Sequence, residues 1–140
     1  MTKVGLYGIV RTSMLLFGAG TAALTGWAAE VVFALGVLTM VFGAISALSS
    51  QRMATLVGSL VLVSSGTLIA ASTLGVHALA GALYYMVHST LAIAMLFLLV
   101  HAIGLQRGAM GDRFGAGPPV AQPVLLGLLF IYAAASVAGL

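Results

Sequence analysis

The sequence predicts an all-α fold, a polytopic transmembrane helix bundle of about five spans. Three observations carry that expectation. First, 62% of the 140 residues are apolar, only 5% are charged, and the mean hydropathy is +1.24. A soluble domain usually carries about 25% charged residues. Second, the few charges fall between runs long enough to cross a hydrocarbon core, which takes roughly 20 residues in a helix. Third, the runs are continuous. Barrel strands are about 10 residues long and alternate in polarity, and open sheet edges are not viable in lipid.

The spans follow in order along the chain. The first covers about residues 4–20, with Lys3 before it and Arg11 inside it. A signal peptide places its charge ahead of the apolar core, so this segment is not read as one. TGWAAE is expected as the turn, with Trp27 as an interfacial ring and Glu30 as a helix-start residue favoured by the dipole. The second span covers about 31–51 and the third about 53–73, joined by a tight polar connection at Arg52. LGVH, with Gly75 and His77, is expected as a turn before the fourth span, about 78–103. The loop that follows holds Arg107, Asp112, Arg113 and 3 prolines, and Asp112 reads as solvent-facing. The fifth span opens near Pro123 and runs over about 123–140. Small residues run through the spans, such as Gly36, Gly43 and Ser46, then Gly58, Ser64, Ser65 and Gly66. They let helices pack closely.

Alternating crossings put the Arg52 turn and the Arg107–Arg113 loop on one side. The positive-inside rule makes that side cytoplasmic. A formal charge of +3, spread between long apolar runs, makes no nucleic-acid footprint. With 0 cysteines there is no disulfide, thiolate or cysteine-metal chemistry. No HExxH or carboxylate–histidine cluster supports a metal, and the Gly115–Gly117 region lacks the order of a phosphate loop. No cofactor is indicated.

The candidate functional residues are ionisable or hydroxyl groups inside apolar runs, where charge is costly and tends to face protein or water. Lys3, Tyr7 and Arg11 share one helical face. They read either as a polar stripe on a proton or cation path or, for Lys3 above all, as snorkelling at the interface. His88 sits mid-span beside Ser89 and Thr90, with Tyr84 and Tyr85 a turn earlier. It reads as a proton relay or as a structural hydrogen-bonding residue. His101 is turned about 140° away from His88 on the same helix, so the two form no ligand pair.

The order of motifs resembles the large D-type subunits of the multisubunit monovalent cation/proton antiporters, in their proteobacterial form, which are related to the membrane subunits of respiratory complex I. TKVGLYGIVR (Thr2–Arg11) resembles the family's M-V-K-x-G-V-Y-x-L-x-R helix. LVLVSSGTLIA (Leu60–Ala70) resembles the stretch after its cytoplasmic turn, and GALYYMVHSTLAIAMLFLLVHAI (Gly81–Ile103) its histidine-bearing helix. GDRFGAGPPVAQPVLLGLLFIYAAASVAGL (Gly111–Leu140) resembles the loop and helix that lead into its broken-helix segment. The resemblance covers essentially the whole chain.

It implies that the chain is a fragment, a partial proton-conducting domain straddling the junction of two inverted repeats. It matches Lys3 to a buried lysine, and His88 to the first histidine of H-H-x-L-x-K. Ser89 stands at the second histidine, and Ile93 at the lysine. A relay there would use His88, Ser89, Thr90 and water. Where the family has D-L-K-R-L, this chain has Arg52, Met53, Ala54, Thr55 and Leu56.

The implied function is part of a Na⁺ or K⁺/proton antiporter subunit in a bacterial plasma membrane, assembled with other subunits and acting as a transporter rather than an enzyme. The expected proton path includes Lys3, Arg11, His88, Ser89 and Thr90. The alternatives are a membrane subunit of an NADH–quinone oxidoreductase-like complex and a non-transporting structural membrane protein.

Overall fold

A computed structural model describes residues 2–17, 22–74, 76–115, 117 and 120–138. Among the described residues the architecture is all-α, as the composition requires. The helices are α1 (Thr2–Phe17), α2 (Ala22–Ser49), α3 (Met53–Ser72), α4 (Val76–Arg107) and α5 (Pro123–Ala138), with a 3-10 turn at Gly108–Met110. Among the described residues, three stretches are long and apolar enough to cross a membrane: Ala29–Ser49, Met53–Ser72 and Ala80–Arg107. Helices α1 and α5 have 16 residues each. That is about 24 Å of described helix at 1.5 Å per residue.

Several boundaries differ from the sequence expectation. Glu30 is not a helix-start residue, because α2 begins at Ala22 and carries no acidic residue in its first turn. Ala22, Ala23, Ala28 and Ala29 are strong helix formers, and the helix continues through Gly26 rather than turning there. His77 lies in the first turn of α4 rather than in a connection. Gly75 and the side chains of Trp27 and His77 lie outside the described set. At its far end α4 runs on to Arg107, whose charge there complements the helix dipole. Gly108 follows at φ +55°, a backbone conformation that glycine adopts without steric cost.

The chain divides into two compact units, Met1–Phe42 with Leu62–Met86, and Gly43–Val61 with Val87–Leu140. In the first, α2 and α3 approach with their backbones nearly in contact. A Cβ added at Gly36 would lie 2.8 Å from the Ala70 nitrogen, and one at Gly66 would lie 2.7 Å from the Gly36 carbonyl oxygen. Only hydrogen fits at either position.

The second unit has a core of Val57 from α3, Ile93, Leu96 and Val100 from α4, and Ala133 and Val137 from α5. On α4 the buried positions from Ser89 through Ile93, Leu96, Val100 and Ile103 to Arg107 recur every three or four residues. That spacing makes one helical face. Leu91, Leu98 and Leu105 form an outward stripe, each at least 68% exposed. Exposed apolar surface on this scale is stable against lipid or further protein.

Candidate functional site

Helix α4 presents consecutive residues to different surroundings, because each step turns the helix by about 100°. Ser89 is fully buried, while His88 and Thr90 on either side are exposed. The His88 ring reaches across to α5, where its Nε2 lies 2.6 Å from the Ser136 Oγ. In one tautomer the serine hydroxyl donates to the ring nitrogen. In the other, Nε2–H donates to the hydroxyl oxygen. Either group can donate or accept in this hydrogen bond, so the pair ties α4 to α5 in both tautomers.

Ser136 is not a residue that the sequence singles out, since 48 positions separate it from His88. A signal is present nonetheless. Tyr132 and Ser136 carry the only side-chain hydroxyls of α5. A lone polar group in such a helix tends to find a partner.

Lys3 and Arg11 lie on α1, in the first unit. The Arg11 Nη1 donates to the Tyr7 hydroxyl at 2.9 Å, so two members of the expected polar stripe are bonded to each other. Arg11 is exposed and Lys3 half-buried. His88, Ser89 and Thr90 belong to the second unit.

A second polar cluster sits where α3 begins. The Arg52 carbonyl accepts the first intrahelical bond, from Leu56 N–H, which makes Arg52 the N-cap residue. Arginine has only donors and cannot accept the exposed N–H groups of that first turn. Asp112, from the loop after α4, supplies the acceptors. Its carbonyl takes Met53 N–H at 2.8 Å, and its Oδ2 takes Ala54 N–H at 3.3 Å. Its Oδ1 accepts from Arg52 Nε at 3.2 Å.

Asp112 is therefore not solvent-facing as the sequence suggested; its side chain is 16% exposed. Partial burial pushes its carboxyl pKa up. The Ala54 N–H, the Arg52 charge and its own N–H outweigh that and hold the pKa below the usual value.

The same loop is pinned twice more. Phe114 N–H donates to the Gln51 carbonyl at 3.0 Å, beside an antiparallel bridge between Arg52 and Arg113. Arg107 is buried and donates Nη1 to the Arg113 carbonyl at 2.8 Å and Nη2 to the Gly115 carbonyl. The Arg52 turn and the Arg113 loop thus meet at one end of the second unit.

Among the described residues, no group of three or more His, Cys, Asp or Glu side chains could hold a metal ion. Membrane-length apolar helices, an outward leucine stripe and polar groups paired helix to helix define a multi-pass helical membrane protein.

Comparison with known proteins makes this specific. The chain is homologous to a stretch of the D-type subunits of cation/proton antiporters, and the motif resemblance is borne out. It is 48% identical over 113 residues to a probable K⁺/H⁺ antiporter D-type subunit of Rhizobium meliloti, covering 80% of this chain and 21% of that protein. It is 30% identical over 141 residues to the Na⁺/H⁺ antiporter D-type subunit of Bacillus subtilis. It is 31% identical over 143 residues to that of Alkalihalophilus pseudofirmus. Those two alignments cover 100% of this chain and 28% of each relative. The chain thus spans about a quarter of the length of the curated relatives it matches. No protein-family profile matches it. No solved structure matches it either.

Proposed function

We propose that this chain is a section of a monovalent cation/proton antiporter subunit in a bacterial plasma membrane, and that it carries part of the proton path. The observation that carries the proposal is the hydrogen bond between His88 on α4 and Ser136 on α5. Homology to subunits named for K⁺/H⁺ and Na⁺/H⁺ exchange supplies the transport class.

In this reading His88 takes up and releases the proton, and Ser136 passes it on by rotating its hydroxyl. Ser89 and Thr90 add hydroxyls on neighbouring faces of α4, which water would have to connect to His88. Lys3 and Arg11, on α1, are further candidate groups for proton movement in the whole subunit. Moving one elementary charge through a membrane potential is worth about 2.3 kcal/mol per 100 mV, so a few titratable groups can couple proton entry to Na⁺ or K⁺ exit. The other subunits of such an assembly are its partners.

The test is cation-dependent proton flux in proteoliposomes holding the full-length subunit with its partners. His88→Ala is expected to lower flux about 10²-fold, the low end of what a positioned proton donor contributes. Ser136→Ala is expected to lower it less, since water can bridge. Wild-type flux in Lys3→Ala and His88→Ala would end the assignment.

A further inference from the structure

The loop-pinned end of the second unit carries a cleft that the proton path does not use. It has a volume of about 780 Å³ and is lined by Ser46, Ser49, Ser50, Gln51, Arg52, Thr55, Arg113 and Phe114. The volume suits a small organic group, since ligand sites run to about 300–1,000 Å³. Its chemistry is unusual for this chain, which has only 5% charged residues.

Two arginines, Arg52 and Arg113, line it. Arg52 commits Nε to Asp112, which leaves its two terminal nitrogens outside that ion pair, and the residue lines the cleft. Arg113 is exposed, and among the described residues it makes no ion pair. Its backbone, by contrast, is fixed by the bridge to Arg52 and by Arg107. Asp112 neutralises one charge of the cluster, while Arg107 beneath the loop adds another. The balance stays positive.

The hydroxyls of Ser49 and Ser50 donate to the Ser46 and Ala47 carbonyls at 3.2 and 2.8 Å. The cleft's remaining donors are thus the guanidinium groups, the Gln51 amide and the Thr55 hydroxyl. Several donors, two of them forked and cationic, suit the oxygens of a phosphate. Apolar surface lies alongside: Leu48 is 89% exposed, Ile45 60% and Phe114 47%.

We propose that this cleft binds the phosphodiester headgroup of an anionic phospholipid, with the acyl chains lying along the exposed face of α2 around Ile45 and Leu48. Basic pockets at the cytoplasmic ends of membrane helices suit such headgroups. The site needs this end of the bundle at the cytoplasmic interface, as the positive-inside rule places it. It needs no proton transport and goes beyond the transport reading.

The experiment uses the full-length subunit, purified and exchanged into nanodiscs of phosphatidylcholine containing a minor fraction of phosphatidylglycerol. Phosphatidylglycerol retained per protein after re-extraction is measured by mass spectrometry. Wild-type protein is expected to enrich phosphatidylglycerol over phosphatidylcholine. Arg113→Gln and Arg52→Gln are each expected to lower that enrichment about five-fold, the effect of one basic residue at an anionic surface. Arg113→Lys keeps the charge and is expected to keep most of it.

Unchanged enrichment in both Gln variants would overturn the proposal. So would equal loss in Arg113→Lys and Arg113→Gln, which would trace the effect to loop geometry rather than charge. A third arm adds millimolar inorganic phosphate. If it displaces the lipid completely, the cleft is a site for free phosphate and the lipid assignment fails.

Discussion

The close approach of α2 and α3 predicts that Gly36→Ala destabilises the protein while Gly58→Ala does not. Both replacements add one methyl group to a membrane-length helix. The Gly36 Cβ would meet the Ala70 nitrogen at 2.8 Å and the Gly66 carbonyl oxygen at 3.0 Å. Ordinary contact begins near 3.4 Å, so the new atom sits about 0.6 Å too close to backbone that has no rotamer to escape into. The helices must separate along this contact, loosening the packing that small residues permit.

Overpacking of this kind costs about 1–3 kcal/mol. The better helix propensity of alanine returns up to about 1 kcal/mol, which leaves a net loss of up to about 2 kcal/mol. At Gly58 the added Cβ meets nothing within 4 Å, so only the propensity gain remains. The assay is thermal unfolding of the detergent-solubilised full-length subunit, followed by fluorescence-detected size exclusion. Gly36→Ala should melt below wild type, and Gly66→Ala should do so too, with a Cβ 2.7 Å from the Gly36 oxygen. Gly58→Ala should melt at or slightly above wild type. Equal melting of Gly36→Ala and Gly58→Ala would refute the backbone contact, whatever the absolute values.

Three further outcomes follow from the loop that pins α3. Asp112→Ala should lower the melting temperature more than Asp112→Asn, because asparagine keeps an oxygen for Ala54 N–H and loses only the charge and the acceptor facing Arg52. A reversed order in the same melting assay would contradict the cap. The carboxyl pKa is depressed in the folded state, so its stabilisation is fully present above the unfolded value of about 3.9. It is lost as pH falls through the folded value. Wild type and Asp112→Asn should therefore converge in stability below about pH 4 and separate above it, read from melting curves against pH. Arg107→Ala leaves the Arg113 and Gly115 carbonyls without their donor. Protease should then cut the stretch 108–122 faster than in wild type, and unchanged cleavage would show that the buried guanidinium does not hold it.

Helix existence was legible because composition and charge spacing act over whole spans. Facing was much less so. In a soluble helix the apolar stripe marks the buried side, but lipid accepts apolar residues on every side. On α4 the inward Ile93, Leu96 and Val100 and the outward Leu91, Leu98 and Leu105 are chemically alike. The usable signal lay in the exceptions: buried Ser89, the hydroxyl of Ser136, and the glycines at 36 and 66.

Of the candidate site, the sequence picked out His88 and the Lys3–Tyr7–Arg11 face. It missed Ser136 because pairing across 48 positions leaves no local trace. It misread Asp112 for the same reason. Arg52 at an N-cap was the hint, since a residue with no acceptor at a helix start requires one from elsewhere. The turn also departed from the antiporter pattern at that same residue.

The borrowed cap on α3 imposes an order of events during synthesis. Helices commonly find their capping groups within their own first turn, available as soon as they leave the ribosome. Here the acceptors for Met53 and Ala54 belong to Asp112, whose codon is read only after all of α4 has been made. At about 5–20 residues per second, the start of α3 waits roughly 3–12 s with its amides answered by water alone. It must lie at the aqueous edge of the bilayer throughout that interval, and α4 must already have crossed back before the lock can close. The Asp112–Arg52 contact is thus a late assembly step, one that closes only on a chain whose two preceding helices have inserted in the right sense.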